Sequence, residues 1–124
     1  MKQSNAEFKV GLKKRPYAFA LDLIHFLDKL PSDMVSKRLG DQLLRSGTSV
    51  LANFVEGQAA GSKREFTNFL VVSLRSANES KVWLALLRDS KRSDAGICNI
   101  LLKELDEISK ILASSVMTLK GKRE

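Results

Sequence analysis

The amino-acid sequence predicts an all-α protein, an antiparallel four-helix bundle with up-down-up-down topology. The chain has 124 residues but only seven Gly and two Pro, a composition that favours long helices joined by short loops. Breaks at residues 31–33, 57–62 and 89–94 leave four long segments. The length suits one domain over residues 1–124, with an ordered core at about 16–120 and loose tails at 1–12 and 121–124.

The first two segments begin and end at recognisable helix signals. Helix one is predicted from about Pro16 to Leu30, because Pro fits a first helical turn and Pro31 cannot continue the helix. Helix two is predicted over roughly Val35–Glu56. At about 100° per residue, its small and apolar residues fall on one arc of roughly 160° that should face the core. They are Leu39, Leu43, Leu44, Gly47, Val50, Leu51, Phe54 and Val55.

Helices three and four each follow a side chain suited to capping. Ser62 and Glu65 form the Ser-x-x-Glu pattern of a capping box, so helix three should begin there and reach about Arg88. Asp94 is the predicted cap of helix four, which should end near Lys120 with a glycine behind it. The residues of helix four expected to point inward are Ile97, Ile100, Leu101, Leu105, Ile108, Ile111, Leu112 and Leu119.

Helices one and three carry more apolar surface than a monomeric bundle needs. In helix one the apolar residues between Tyr17 and Leu30 spread over about 220°. In helix three a second stripe lies away from the inner arc and contains Val71, Val72, Val82 and Leu86. Single exposed hydrophobic side chains are normal, but two helices with a second stripe indicate a subunit interface. We therefore expect a homo-oligomer.

The net charge of +7 is concentrated at one end of the predicted bundle. Antiparallel helices bring both chain termini and the second loop to the same end. This end has ten basic and four acidic residues, a net +6, whereas the opposite end, residues 28–41 and 88–94, has a net +1. The cations predicted to bind nucleic acid are Lys13, Lys14, Arg15, Lys63, Arg64, Lys120, Lys122 and Arg123.

Clustered positive charge suits a polyanionic ligand, because phosphate contacts give affinity without sequence recognition. The start of helix three would add a positive helix end near Lys63 and Arg64, although Glu65 competes for it. Three alternatives remain open: basic tails that only maintain solubility, an acidic membrane surface, or an acidic protein. No aromatic platform or recognised RNA-binding motif discriminates between them.

Few residues are available for catalysis or metal binding. The single Cys98 excludes an internal disulfide, and the single His25, between Asp22 and Asp28, is interpreted as a solvated surface residue. We therefore expect no metal, no cofactor and no enzymatic activity. The apolar stretch of helix one is too short and too polar to cross a bilayer, so a soluble cytoplasmic protein is expected.

The polar side of helix two forms a continuous ridge that includes Arg45, Ser49, Asn53 and Glu56. One interpretation is a solvated helix face. The other is that Arg45 pairs with an acidic residue of the adjacent helix, such as Glu79, in a buried or interfacial network that fixes helix register. Neither interpretation requires catalysis.

Three segments of the sequence resemble one protein family. They are QLLRSGTSVLANFVE at 42–56, SKREF at 62–66 and SANESKVWLALL at 76–87. They resemble the bacterial four helix bundle proteins encoded in intervening sequences of large-subunit rRNA genes, and the resemblance covers about residues 17–119. It implies a ring-like homo-oligomer, commonly a pentamer, without established enzymatic activity. It also implies architectural roles for Arg45, Ser49, Asn53, Glu56, Glu79 and Trp83.

That family is in turn similar to the accessory variability determinant of diversity-generating retroelements, a basic pentamer that works with a reverse transcriptase and nucleic acid. Fold analogy alone does not supply a function. The sequence therefore leads to the hypothesis of a non-enzymatic oligomeric scaffold that binds nucleic acid, RNA rather than DNA, as an accessory to a reverse transcriptase or an RNA-processing complex. The alternative is a protein–protein interaction module without nucleic-acid binding.

Overall fold

The computed structural model describes residues 5–121, with side chains from Lys14 onward. This part of the chain forms four α-helices: α1 (Asn5–Asp28), α2 (Met34–Gln58), α3 (Lys63–Asp89) and α4 (Ala95–Leu119). Each helix packs antiparallel to the next, and α4 returns to α1. The predicted antiparallel four-helix bundle is confirmed.

Helix α1 is longer than the sequence predicts. It begins at Asn5, so the predicted start at Pro16 is wrong and this proline lies inside the helix. A proline removes one main-chain hydrogen bond and strains the preceding turn. The ring of Pro16 is buried, however, and lies with Phe54 of α2 and Ile108 of α4 around a small gap in the core. Burial of its apolar surface offsets part of that cost.

Side chains cap α3 and α4 as the sequence predicts. The hydroxyl oxygen of Ser62 accepts a hydrogen bond from the backbone N–H of Glu65 at 3.1 Å. The carboxylate of Asp94 accepts one from the N–H of Ile97 at 2.9 Å. After the C-terminal end of α4, Gly121 has a φ of 68°. This is the left-handed conformation that glycine adopts readily after a helix.

Asp33 caps α2 and also links two turns. Its carboxylate accepts hydrogen bonds from the hydroxyl of Ser36 at 2.6 Å and from the N–H of Ser36 at 3.0 Å. Arg92, in the turn between α3 and α4, donates to the same carboxylate at 3.3 Å. These donors, led by the Ser36 hydroxyl, lower the pKa of Asp33 to about 2. The two turns at this end of the bundle are therefore joined by an ion pair.

The core takes residues from all four helices. Its largest buried members include Phe19, Leu23, Phe26, Leu43, Phe54, Leu70, Leu84, Leu87, Leu105 and Ile108. Sequence periodicity also placed Leu44, Val55, Ile97 and Ile100 there, and this prediction is wrong because all four are exposed, Ile100 to 70%. They lie at the edges of wide apolar arcs, and the neighbouring helices cover only the centre of each arc.

Helices α2 and α3 approach each other along a line of serines. The hydroxyl oxygens of Ser46 and Ser80 lie 2.7 Å apart, and both residues are fully buried. Ser73 donates a hydrogen bond across the interface to the main-chain carbonyl of Val50 at 2.7 Å. Such bonds require short side chains and close backbones. They fix the register of the two helices, with position 46 facing position 80.

Candidate nucleic-acid interface

A groove between the start of α3 and the end of α4 gathers three of the predicted cations. It is lined by Lys63, Arg64, Thr67, Asn68, Leu119 and Lys120 and encloses about 430 Å³. The three basic side chains are exposed. None of the described residues that line the groove is acidic. This basic groove can therefore present its positive charge to an anionic ligand.

The two helix ends at the basic groove carry opposite partial charges. The N-terminal end of α3 is positive and the C-terminal end of α4 is negative. Lys63 and Arg64 add to the positive end, whereas Lys120 follows the last residue of α4 and offsets the negative end. Glu65, exposed in the first turn of α3, removes part of this charge. The arrangement can hold phosphate oxygens by charge and hydrogen bonding.

The other cations predicted to bind nucleic acid do not line this groove. Lys14 is exposed. Arg15 donates two hydrogen bonds to Glu104, at 2.7 and 3.0 Å, and these bonds raise the pKa of Arg15. Glu104 lies fifteen residues before the end of α4, about 22 Å along the helix axis. Arg15 therefore reaches toward the middle of the bundle, where its charge is balanced. The side chain of Lys13 and the residues Lys122 and Arg123 lie outside the described part of the chain.

The predicted pairing of Arg45 with Glu79 is present. The guanidinium of Arg45 donates to the carboxylate of Glu79 and, at 2.9 Å, to the side-chain oxygen of Gln42. Glu79 also accepts a hydrogen bond from the indole N–H of Trp83 at 3.0 Å. The side chain of Arg45 is 57% exposed and that of Glu79 35%. Solvent therefore screens this network, which limits its contribution to stability.

The rest of the polar ridge of α2 is partly buried against α3. The amide of Asn53 donates to the hydroxyl of Ser49 at 2.8 Å, and Ser76 of α3 donates to the same hydroxyl oxygen at 2.9 Å. Glu56, near the end of α2, is exposed. The ridge is therefore neither wholly solvated nor wholly buried. The hydrogen bond at its centre helps to fix the register between α2 and α3.

Among the described residues, exposed apolar side chains include two groups, one on α3 and one shared by α1 and α2. On α3, the predicted interface residues Val72, Val82 and Leu86 are exposed, whereas Val71 is half-buried and packs on the core. We define the α3 ridge as Val72, Arg75, Val82 and Leu86. The second surface, the α1/α2 face, consists of Tyr17, Leu21, Ile24, Leu44, Leu51 and Val55, exposed or half-buried.

Sequence reasoning missed the contribution of α2 to the α1/α2 face. It assigned Leu44, Leu51 and Val55 to the core because they share an arc with residues that are buried. The sequence did contain a sign that these residues reach beyond the core. The apolar arc of helix two is wider than the apolar stripe that a helix needs to pack against one core.

Within residues 14–121, whose side chains the structure describes, no cluster of His, Cys, Asp and Glu could hold a metal ion. His25 is exposed at the rim of an open cleft of about 460 Å³ between α1 and α4. Cys98 is buried, with its sulfur 3.2 Å from the hydroxyl oxygen of Ser93, and burial raises the pKa of its thiol. A protonated, buried thiol is a poor nucleophile. Over the same described range, no helix combines the length and hydrophobicity needed to cross a membrane.

The sequence matches one protein family from α1 into α4. The family described as 23S rRNA-intervening sequence protein matches residues 9–114. The chain belongs to this family. The resemblance carried by residues 42–56, 62–66 and 76–87 is thereby confirmed.

A solved structure shares its fold with this member of the 23S rRNA-intervening sequence protein family. It is a protein of unknown function from the S23 ribosomal protein family from Bacteroides thetaiotaomicron, 30% identical in sequence. The similarity covers 85% of this chain and 97% of that chain, with a TM-score of 0.80. The two proteins therefore have the same four-helix architecture. No curated protein matches this chain.

Proposed function

We propose that this chain is a non-enzymatic, oligomeric cytoplasmic scaffold that binds nucleic acid, RNA in preference to DNA. The observation that carries the proposal is the basic groove, where Lys63, Arg64 and Lys120 are exposed and no described lining residue is acidic. Exposed cations of this kind bind phosphates without reading sequence. RNA is preferred because the family is described by its relation to 23S rRNA.

Oligomerisation would repeat the basic groove around one assembly. A pentamer would offer five grooves to the same polyanion, and linked sites bind more tightly than single ones. The exposed apolar residues of the α3 ridge and the α1/α2 face support association. Light scattering should therefore give about five times the mass of the 13.8 kDa chain. A strictly monomeric protein would contradict this part of the proposal.

Salt dependence and charge reversal test the groove. Three phosphate contacts predict that the affinity for single-stranded RNA falls about 20-fold between 50 and 200 mM salt. The triple variant Lys63→Glu, Arg64→Glu and Lys120→Glu should abolish binding of labelled single-stranded RNA. Filter binding measures both effects, the first over the range from 50 to 200 mM salt and the second at the low end of that range.

A matched control reverses three exposed cations near the α1–α2 turn, at the other end of the bundle. The variant Lys29→Glu, Lys37→Glu and Arg38→Glu changes the net charge by the same amount. It should retain most of the binding, because it leaves the basic groove intact. Equal losses in the two triple variants would show that only net charge matters, and no binding by the wild-type protein at low salt would overturn the proposal.

The proposal implies a reverse transcriptase or an RNA-processing complex as the partner. Sequencing the nucleic acid that co-purifies with the protein discriminates between the two. Enrichment of 23S rRNA fragments would favour RNA processing, whereas enrichment of a retroelement transcript would favour a reverse transcriptase. Loss of the enriched RNA in the groove variant would connect the partner to the basic groove.

A protein–protein interaction module without nucleic-acid binding is the second candidate. It is favoured by the α1/α2 face, which is apolar and uncovered in the single chain. A complex with another protein that withstands nuclease and high salt, and that forms equally with the groove variant, would support this candidate over the first.

A further inference from the structure

The cleft between α1 and α4, called the α1/α4 cleft below, has the size and lining of a small-ligand site. It encloses about 460 Å³, within the range of about 300–1,000 Å³ that is usual for such sites. Phe26 and Leu101 form buried apolar walls, while Ile97 and Ile100 are exposed to 45% and 70%. The single chain therefore presents a concave apolar surface to solvent between these two helices.

The end of the α1/α4 cleft near the turns carries positive charge. Lys29 is exposed and forms no ion pair with any described residue. Arg92 donates from its Nε to Asp33 at 3.3 Å, which leaves the terminal amino groups of its guanidinium able to bind a second anion. Asp94 also lines the cleft, but its carboxylate accepts the N–H of Ile97 at the positive end of α4. An anionic group therefore meets two cations at this end.

The other end of the α1/α4 cleft is not suited to an anion. Asp22 lies there, seven residues before Lys29 on α1, or about 10 Å along the helix axis. Beyond Asp22 the space between the two helices continues with a mostly charged lining, which includes Lys103, Glu104 and Glu107. The cleft therefore accepts an apolar chain as far as Asp22 and a negative group only near the turns.

We propose that the α1/α4 cleft binds a free aliphatic carboxylate of medium chain length. The carboxylate lies between Lys29 and Arg92, and the chain follows Phe26 and Ile100 toward Asp22. Charge-assisted hydrogen bonds from lysine and arginine to a carboxylate are strong. An extended chain of about eight carbons, with bonds of about 1.5 Å, covers the apolar length of the cleft. The cleft and the basic groove lie at opposite ends of the bundle, so this inference does not depend on nucleic-acid binding.

A series of straight-chain carboxylates tests the ligand class, with binding followed by ligand-observed NMR. From butanoate to octanoate, the affinity should rise about threefold to fourfold for each added methylene. The rise should stop once the chain passes Asp22, because further methylenes meet a charged lining. Octan-1-ol has the chain without the charge and should bind at least about tenfold more weakly than octanoate.

Three results of this series would overturn the inference. The first is that the wild-type protein does not bind octanoate. The second is equal affinity for octanoate and octan-1-ol, which would show that the cations play no part. The third is an affinity that continues to rise through dodecanoate, which would indicate unspecific adsorption to apolar surface.

Two variants and their matched controls test the location of the site. Lys29→Glu should weaken octanoate binding at least about tenfold, whereas Lys37→Glu, which reverses a cation outside the cleft, should leave it within about twofold. Ile100→Gln should weaken binding about fivefold. Its control is Met34→Gln, because Met34 is also 70% exposed but does not line the cleft. All four positions are exposed, so circular dichroism should remain helical. Equal effects in a variant and its control would overturn the inference.

A second copy of the chain is the other candidate occupant of the α1/α4 cleft. Light scattering separates the two occupants. The mass of Ile100→Gln should equal that of the wild type, and octanoate should change neither. A smaller mass for Ile100→Gln, or dissociation of the wild-type assembly by octanoate, would show that another copy covers the cleft and would overturn the inference.

Discussion

Leu23 of α1 occupies the space that a side chain at Gly47 of α2 would need. Leu23 is fully buried, so it can yield only if the surrounding core repacks. Gly47→Ala should therefore lower the free energy of unfolding by about 1–3 kcal/mol, even though Ala favours a helix by about 1 kcal/mol over Gly. Urea unfolding followed by circular dichroism measures the change.

Gly61→Ala is the matched control, because no atom lies within 4 Å of the position that its Cβ would take. Its stability should stay within about 0.5 kcal/mol of the wild type. Adding Leu23→Val to Gly47→Ala should recover part of the loss. A Gly47→Ala variant as stable as the wild type would show that α1 adjusts without cost.

The buried hydroxyl pair of Ser46 and Ser80 should show coupling in a double-mutant cycle. Ser46→Ala and Ser80→Ala should each cost about 1 kcal/mol, because each leaves a buried hydroxyl with one partner fewer. The double variant should cost less than the two single changes added together. Ser32→Ala, at an exposed position, is the control for the substitution itself. Strict additivity would contradict a hydrogen bond between the two serines.

The low pKa of Asp33 predicts a loss of stability in acid. Its pKa in the folded state, about 2, lies below the ordinary value of 3.8. Its contribution is therefore complete above about pH 4 and disappears as the pH falls toward 2. Asp33→Ala should lower the Tm at pH 7, and the difference from the wild type should shrink over that interval. Asp33→Ser, which keeps an N-cap oxygen without the charge, should remove the part of the acid dependence that Asp33 contributes and retain part of the stability. A difference in Tm that does not change with pH would refute the assignment.

The network of Arg45, Glu79 and Trp83 should matter more for local structure than for stability. Arg45→Ala should cost less than about 1 kcal/mol, because the pair is open to solvent. Glu79→Ala removes the acceptor of the indole and should shift the emission of Trp83, the single tryptophan. Glu79→Gln keeps an acceptor and should preserve most of the wild-type spectrum. Identical spectra for both variants would contradict the hydrogen bond between Trp83 and Glu79.

Local patterns were sufficient to predict most of the fold. The positions of Ser62 and Asp94 determined where α3 and α4 begin, since a capping side chain acts on the next three residues alone. The partnership of Arg45 with Glu79 also followed from the sequence, because short connections make consecutive helices neighbours.

Features that depend on three-dimensional coverage were harder to predict. Periodicity gives the direction of Leu44 or Ile100 around its helix, but it does not say how far the neighbouring helix extends over it. The start of α1 was predicted too late because Pro16 was treated as a local signal, while its burial between α2 and α4 is a tertiary effect. Arg15 was assigned to the positively charged end of the bundle because its ion pair is likewise a tertiary effect. Its partner Glu104 lies 89 residues away in the sequence.

The ion pair between Asp33 and Arg92 has a practical consequence for labelling this molecule. It ties together the two turns farthest from the basic groove. The distance between these turns and the groove is about the length of α2, whose 25 residues span about 37 Å. Under the proposed function, a fluorophore attached at the exposed Ser32 would therefore lie far from the polymer bound at the basic groove. A label at Gly121, the residue after Lys120 of the basic groove, would by contrast lie next to the proposed binding site.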